Sequence, residues 1–231
     1  MSNLTPAGAE PHDLELSPDD VRRVHEADVV LVLGHGFQPQ VERAATQAQG
    51  RVVSLLDTPG LRRSADGDPH VWLDPVRYAL LVRRIGSVLG REGAARALAA
   101  RLGRLDRDYR AGLSRCGRRE LVTSHAAFGY LAQRYGLKQV SIEGIVPDSE
   151  PTPRQLQRVA STVRRDHVGT VYFETLVSPK IARTLARETG AKTAVLDPLE
   201  GLEPAAIKRG ADYFTVMRAN LARLRQGLRC R

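Results

Sequence analysis

Short apolar strands alternate with helical stretches along nearly the whole chain, and this alternation is the strongest constraint on its fold. Residues 28–33 are apolar and β-branched, which is typical of a strand buried in a parallel sheet. Further strands are predicted at 51–55, 120–123, 139–142, 170–173 and 193–196. Helical patterns separate these runs, so right-handed crossovers should place helices on both faces of parallel sheets. The predicted fold class is α/β.

One predicted helix is unusually long. Between residues 94 and 114 the apolar side chains recur at intervals of three and four residues, and they are Leu98, Leu102, Leu105, Tyr109 and Leu113. At ~1.5 Å per residue such a helix extends about 32 Å, the width of a small domain. A helix of that length can connect two lobes as a rigid strut.

Charge is the most unusual feature of the composition. The 231 residues suit one large domain or two lobes, and they carry a net charge of +9 from 31 Arg and 4 Lys against 26 acidic residues. The basic residues are dispersed, with the densest cluster at Arg115, Arg118 and Arg119, and aromatics are only 5%. This pattern favours a solvated basic surface over a polyanion site, and nucleic acid is not an expected partner. No apolar run is long enough to cross a membrane.

The two cysteines and the first residues indicate little about compartment. Cys116 and Cys230 lie 114 residues apart, which fits neither a redox motif nor a zinc knuckle. The sequence is compatible with two alternatives, a pair of buried thiols or one long-range disulfide. The first residues lack the basic and apolar regions of a secretory signal.

Four side chains are candidates for metal binding. Ligands of parallel sheets bind beyond the carboxyl ends of the strands. His125 and Asp197 directly follow predicted strands, His70 ends a polar loop, and His12 precedes the first helix. Three imidazoles and one carboxylate match a tetrahedral zinc site, and imidazole-rich sites suit zinc better than manganese.

Other candidates and an enzymatic function compete with this interpretation. His35, between two glycines after a strand, is a rival to His12, and Glu174 could accept a hydrogen bond from a ligand rather than coordinate. The sequence contains no zincin, nucleophile-elbow, Walker or dinucleotide-binding motif. A zinc-dependent hydrolase with Glu174 or Glu143 as general base is the alternative, although four protein ligands would fill the coordination shell.

Six motifs in order resemble the solute-binding proteins of bacterial zinc and manganese ABC importers. They are PHDLELSP at 11–18, HVWLDP at 70–75, SHAAFGY at 124–130, EPTP at 150–153, FE at 173–174 and LDPLEG at 196–201. The resemblance covers residues 7 to about 228 and is highly specific.

This resemblance implies two lobes of parallel sheet flanked by helices and joined by one long rigid helix. The implied divisions are an N-terminal lobe at 1–92, an interlobe helix at 93–115 and a C-terminal lobe at 116–231. The metal would lie in the interlobe cleft on His12, His70, His125 and Asp197, which also decides for His12 over His35. Histidine at the third ligand position points to zinc, with manganese less favoured.

The implied function is zinc capture outside the cytoplasm and delivery to an ABC transporter permease, without bond chemistry. We expect the chain to act as a monomer. Relative to the family, roughly forty residues forming a strand and a helix are missing from the first lobe, which would leave a strand edge exposed. The first lobe is therefore expected to be truncated, and a non-functional remnant is a further alternative. In an oxidising space Cys116 and Cys230 could pair and connect the last helix to the start of the second lobe.

Overall fold

The computed structural model describes residues 1–145, 151–176 and 178–231, and within these ranges the strands form two parallel sheets. The first sheet has two strands, whose register places Val30 opposite Val52. Its elements are α1 (Pro18–Glu26), β1 (Val29–Val32), α2 (Pro39–Ala45) and β2 (Arg51–Ser54). Buried side chains between sheet and helices form a small core of Val24, Val30, Val32, Val41 and Ala45. This is one strand–helix–strand unit, as predicted.

The start of α1 illustrates how local sequence defines an element. The Ser17 hydroxyl accepts from the Asp20 backbone N–H, and the Asp20 carboxylate accepts from the Ser17 N–H. This reciprocal pair and Pro18 in the first turn satisfy N–H groups that a helix leaves without partners. The start of α1 is therefore fixed by its own sequence.

Two long helices follow the first sheet and pack closely against each other. They are α3 (Pro75–Val88) and α4 (Glu92–Leu113). A side chain on Gly86 would bring its Cβ within 2.4 Å of the Ala95 Cβ, so glycine permits the close approach of the two helices. The predicted apolar stripe of α4 is buried from Leu102 to Leu113, and the helix begins two residues before the predicted start.

The second sheet has four parallel strands in the order β4–β3–β5–β6. Its strands are β3 (Glu120–Thr123), β4 (Lys138–Ser141), β5 (Thr170–Phe173) and β6 (Lys192–Val195). Its helices are α5 (Gly129–Tyr135), α6 (Pro153–Arg165), α7 (Lys180–Thr189), α8 (Pro204–Lys208) and α9 (Tyr213–Gly227). Because β3 connects outward to β4 and β5 connects the other way to β6, the carboxyl ends of β3 and β5 border a crevice.

Side-chain alternation along the strands divides the core of this lobe into two layers. Leu121 packs with the layer beneath α4 and α9, whereas its neighbour Val122 packs with the layer beneath α6 and α7. Tyr109 of α4 donates a hydrogen bond of 2.7 Å to the Met217 carbonyl of α9, which joins the long helix to the last one. The predicted α/β class with parallel sheets and flanking helices is confirmed.

Several predicted element boundaries differ from the structure. The strands predicted at 139–142 and 193–196 begin one residue earlier, at Lys138 and Lys192. Helix α5 begins only at Gly129, because the Ala126 N–H bonds to the Gly144 carbonyl instead of entering a helix. The short helix α8 and a 3₁₀ turn at Val71–Leu73 were not predicted. The EPTP motif begins at Glu150, which lies outside the described residues. Within the described ranges no helix is both long and apolar enough to cross a membrane.

Cys116 and Cys230 form a disulfide, which decides between the two possibilities that the sequence left open. Backbone hydrogen bonds accompany it, from Gly117 N–H to the Arg229 carbonyl and from Arg231 N–H to the Arg115 carbonyl. The disulfide therefore connects the residues after α9 to the segment that leads into β3.

We predict that Asp74→Ala strongly destabilises the fold. Asp74 is fully buried, accepts the Val76 N–H at the start of α3, and pairs with Arg77 at 2.6 Å and Arg134 at 2.8 Å. Breaking a buried ion pair typically lowers the free energy of unfolding by about 3–5 kcal/mol. Urea unfolding followed by circular dichroism measures the change.

Asp108→Ala is the matched control for this prediction, because Asp108 is an exposed aspartate on α4. An exposed substitution of this kind should change the free energy of unfolding by less than about 0.5 kcal/mol. Equal effects of the two substitutions would contradict the role assigned to Asp74.

Candidate metal centre

Three of the four predicted ligands meet in the structure. His12 lies in the loop before α1, His70 precedes the 3₁₀ turn, and His125 follows β3 by two residues. Their ring centroids are 5.6 Å apart for His12 and His70, 5.3 Å for His70 and His125, and 6.4 Å for His12 and His125. The N-terminal part of the chain provides two of these imidazoles and the four-stranded lobe provides the third.

The fourth donor in this group is Glu200. Its Oε1 atom lies 2.6 Å from Nε2 of His70, 3.2 Å from Nε2 of His12 and 3.3 Å from Nε2 of His125. The four ligand atoms all lie within 4.8 Å of one another. The Glu200 side chain is only 1% exposed, so three imidazole nitrogens and one carboxylate oxygen face a common buried centre.

Two further carboxylates orient the imidazoles from behind. Asp68 Oδ1 lies 2.7 Å from Nδ1 of His70, and Glu174 Oε1 lies 2.5 Å from Nδ1 of His125. A carboxylate at Nδ1 holds the proton there, which leaves the Nε2 lone pair directed at the centre. Glu174 accepts this hydrogen bond as the sequence predicted, and the Ser124 hydroxyl also donates to it.

His125 has an additional property expected of a metal ligand. Its Nε2 atom is buried and makes no well-aligned hydrogen bond with any described group, although Glu200 is near. Buried polar atoms without a partner are rare and costly. A divalent cation at the centre would give this lone pair a partner.

In the metal-free site, protons on His70 and His125 balance the negative charge of the neighbouring carboxylates. Burial raises the pKa of Glu200, but the adjacent imidazoles of His12, His125 and His70 outweigh it and hold that pKa far below its usual range. Burial lowers the pKa of His125, but the carboxylates of Glu174 and Glu200 raise it to about 10. The pKa of His70 is also raised, against burial, by Asp68 and Glu200. Metal binding must therefore displace protons from the imidazoles.

The structure does not bring Asp197 into this group of donors. Its Oδ1 accepts the Leu199 N–H at 2.8 Å, and its backbone carbonyl accepts from Asn220 at 2.7 Å. Leu199 has a positive φ of 59°, so the chain turns sharply there. Asp197 shapes the turn that presents Glu200.

Glu200 is not among the residues predicted from the sequence, because Asp197 is the first carboxylate after the strand. The signal for Glu200 was present in the same LDPLEG motif, since Asp-Pro is typical of a turn and Glu200 lies on its far side. His35, the rival to His12, is exposed and pairs with Asp57 at 2.7 Å, away from the group.

Aromatic rings border the imidazoles. The Phe37 ring centroid lies 4.8 Å from that of His12, and the Trp72 centroid lies 5.1 Å from that of His70. Trp72 also donates from Nε1 to the Pro198 carbonyl at 2.7 Å, which connects the His70 loop to the turn before Glu200. The rings exclude water from one side of the centre and strengthen the electrostatic interactions within it.

Comparison with known proteins yields a consistent set of relatives. The profile of the family described as zinc-uptake complex component A, periplasmic, matches residues 1–227. The zinc-binding protein AdcA of Streptococcus pyogenes is 35% identical, covering 97% of this chain and 51% of that relative. The high-affinity zinc uptake system protein ZnuA of Bacillus subtilis is 34% identical, covering 97% of this chain and 79% of that relative. The chain thus spans about half the length of AdcA.

A solved structure extends the likeness to three dimensions. The Zn(II)-bound ZnuA-like domain of Streptococcus pneumoniae AdcA superposes with a TM-score of 0.82 at 36% identity. The match covers 97% of this chain and 89% of that chain. The fold is therefore shared over nearly the whole of this chain.

The stability of the metal-free protein should depend on pH through His125 and Glu200. The pKa of His125 rises from about 6.5 in the unfolded chain to about 10 in the fold, so its stabilisation is complete below pH 6.5 and is lost as pH rises toward 10. The lowered pKa of Glu200 adds stabilisation that is lost as pH falls below about 4.5. We expect a higher urea midpoint in EDTA at about pH 6 than at about pH 9.

Glu174→Gln isolates the His125 contribution, because it removes the carboxylate that most raises that pKa. The difference between the two midpoints should shrink in this variant. Identical pH dependence in the variant and the original protein would refute the assignment.

Proposed function

Because the chain belongs to the family of periplasmic A components of zinc-uptake complexes, we propose that it captures zinc as the solute-binding component of an ABC importer. The observation that carries this proposal is the convergence of four donor atoms within 4.8 Å of one another. We propose His12, His70, His125 and Glu200 as the ligands, in place of the set with Asp197 predicted from the sequence. Three imidazoles with one carboxylate suit zinc better than manganese.

The donor set supports binding rather than catalysis. A catalytic zinc keeps a coordination position open for water or substrate, whereas four protein ligands close a tetrahedral shell. Glu174, which a hydrolase would need as a general base, is already engaged by His125 and Ser124. The chain accordingly transfers an ion without making or breaking covalent bonds.

The site joins distant parts of the chain through the metal. His12 and His70 come from the proposed N-terminal lobe at 1–92, and His125 and Glu200 come from the proposed C-terminal lobe at 116–231. The proposed interlobe helix at 93–115 packs against α3, α5 and α9. A rigid connection of this kind favours small adjustments of the lobes on zinc binding over wide hinge closure.

The remaining parts of the proposal concern partner and location. The permease of the importer is the proposed partner, and the chain acts as a monomer outside the cytoplasm. Relatives are named for zinc binding and high-affinity zinc uptake, which supports the cargo. The disulfide supports the location, because disulfides persist mainly in oxidising spaces outside the cytoplasm.

Zinc should stabilise the protein against heat. A ligand that binds only the folded state stabilises it by RT ln(1 + [L]/Kd), about 2.7 kcal/mol at 100 times Kd. We expect a clear rise in Tm with zinc and a smaller one with manganese at equal concentration, measured by differential scanning calorimetry. His70→Ala should abolish most of the rise, whereas no rise in the original protein would refute zinc capture.

Glu200→Gln and Asp197→Asn distinguish the two ligand sets. Losing the Glu200 ligand should weaken zinc binding at least about 100-fold, beyond the 10–100-fold effect typical of groups behind the ligands. In Asp197→Asn the side-chain oxygen can still accept the Leu199 N–H, so affinity should fall less than about tenfold. Competition with a chromophoric chelator gives both affinities.

The reverse order of these two effects would favour Asp197 as the ligand. Trp72, the single tryptophan, lies beside His70 and offers an independent fluorescence signal of zinc binding. Its response should follow the same order of affinities.

A further inference from the structure

Four arginines line a depression on the surface of the second lobe. The depression has a volume of about 480 Å³ and is bordered by Arg115, Arg118, Arg229 and Arg231 together with Cys116 and Gly117. We call these four arginines and the space between them the arginine cleft. Pockets that hold small ligands have volumes of about 300–1,000 Å³, so the cleft has room for one.

The disulfide assembles the arginine cleft from two distant segments. Three of the arginines flank the disulfide cysteines directly, in Arg115-Cys116 and Arg229-Cys230-Arg231. The Arg118 N–H also bonds to the Leu228 carbonyl at 3.1 Å, and the Arg231 N–H bonds to the Arg115 carbonyl at 2.9 Å. The backbone that carries the four side chains is therefore fixed before any ligand arrives.

The arginine cleft brings four guanidinium groups to one depression. Among the described residues, no carboxylate forms an ion pair with any of the four guanidinium groups. Adjacent Arg119, by contrast, donates to the Leu113 and Ser114 carbonyls at 3.0 Å each. Burial and then the charge of Arg229 lower the pKa of the Arg118 guanidinium, as expected where like charges crowd together.

Arg118 is held in a defined position within the cleft. Its guanidinium lies over Gly169, where a Cβ would come within 2.1 Å of the Arg118 Nη1 atom. The absence of a side chain at residue 169 therefore leaves space for the guanidinium. Since Gly169 directly precedes β5, this contact places Arg118 at the amino edge of the sheet.

The arginine cleft and the candidate metal centre lie at opposite ends of the strands of the second sheet, the cleft at the amino ends and the centre at the carboxyl ends. Arg118 precedes β3 by two residues, whereas His125 follows its last residue by two. Zinc binding and occupation of the cleft should therefore be separable.

We propose that the arginine cleft binds a phosphate group, either free or on a lipid headgroup. Guanidinium groups match phosphate oxygens in charge and in paired hydrogen-bond geometry. Four guanidinium groups carry more positive charge than a single carboxylate can neutralise. A free phosphate ion carries up to two negative charges, and an anionic lipid surface presents several singly charged phosphates together. On an anionic membrane surface, the cleft would orient the protein relative to the membrane.

Binding of three probes distinguishes the source of the phosphate. Calorimetry with orthophosphate and with pyrophosphate tests free anions, and cosedimentation with phosphatidylglycerol vesicles tests lipid, with phosphatidylcholine vesicles as the neutral reference. Measurements at about 50 mM salt limit the screening of surface charge. We expect binding of at least one of the first three probes, and the absence of binding by all three would overturn the proposal.

Arg118→Gln/Arg229→Gln tests whether the cleft is responsible. Losing two charge-assisted contacts should weaken binding at least about tenfold. Arg104→Gln/Arg107→Gln removes the same charge from exposed positions on α4 and should change affinity less than about twofold. If both double variants weakened phosphate binding equally, the loss of net charge alone would explain the effect. That result would refute the arginine cleft as the binding site.

Gly169→Ala adds a test that leaves the charge unchanged. The added methyl group must displace the end of the Arg118 side chain, so phosphate binding should weaken although every arginine is present. All of these variants should keep the zinc affinity of the original protein, which verifies that they fold. Unchanged phosphate affinity in Gly169→Ala and in the cleft double variant would overturn the proposal.

Discussion

The candidate metal centre depends on the contacts of one buried carboxylate, that of Glu200, with three imidazoles. Its Oε1 atom lies within 3.3 Å of an Nε2 atom from each of His12, His70 and His125. Without it, the positive charge that raised pKa values favour on His70 and His125 in the metal-free protein would lose a buried partner, which is costly. The same oxygen is positioned to bind a cation when the protons leave. One group therefore stabilises the empty site and completes the proposed zinc site.

The topology of the second sheet explains why the centre lies where it does. Strands β3 and β5 are neighbours whose connections leave in opposite directions, which opens a crevice at their carboxyl ends. His125 follows one strand and Glu174 follows the other, so a proposed ligand and the carboxylate that orients it meet at this crevice. The loops bearing His12 and His70 close it from the other side.

The fold also separates two kinds of charge. Carboxylates and imidazoles of the candidate metal centre lie at the carboxyl ends of the strands. The guanidinium groups of the arginine cleft lie at their amino ends. The disulfide and the backbone hydrogen bonds beside it bring Arg229 and Arg231 next to Arg115, across 114 residues of chain. The dense Arg115, Arg118 and Arg119 group was visible in the sequence, but the arginines that complete the cleft belong to the end of the chain. The basic surface predicted from the sequence thus includes the arginine cleft, in which four arginines line one depression.

Patterns along the chain were sufficient to predict the α/β class, the long helix and the three histidines of the proposed zinc site, because periodicity, turn residues and short motifs are local properties. Only the folded chain shows which carboxylate, that of Asp197 or that of Glu200, faces the three imidazoles. Asp197 and Glu200 are three residues apart in one motif, and nothing local distinguishes a ligand from a turn former. The positive φ at Leu199 and the bond from its N–H to Asp197 direct the first carboxylate into the turn and the second toward the imidazoles. That outcome depends on contacts between residues far apart in sequence, such as Asn220 with Asp197 and Trp72 with Pro198, which exist only in the folded chain.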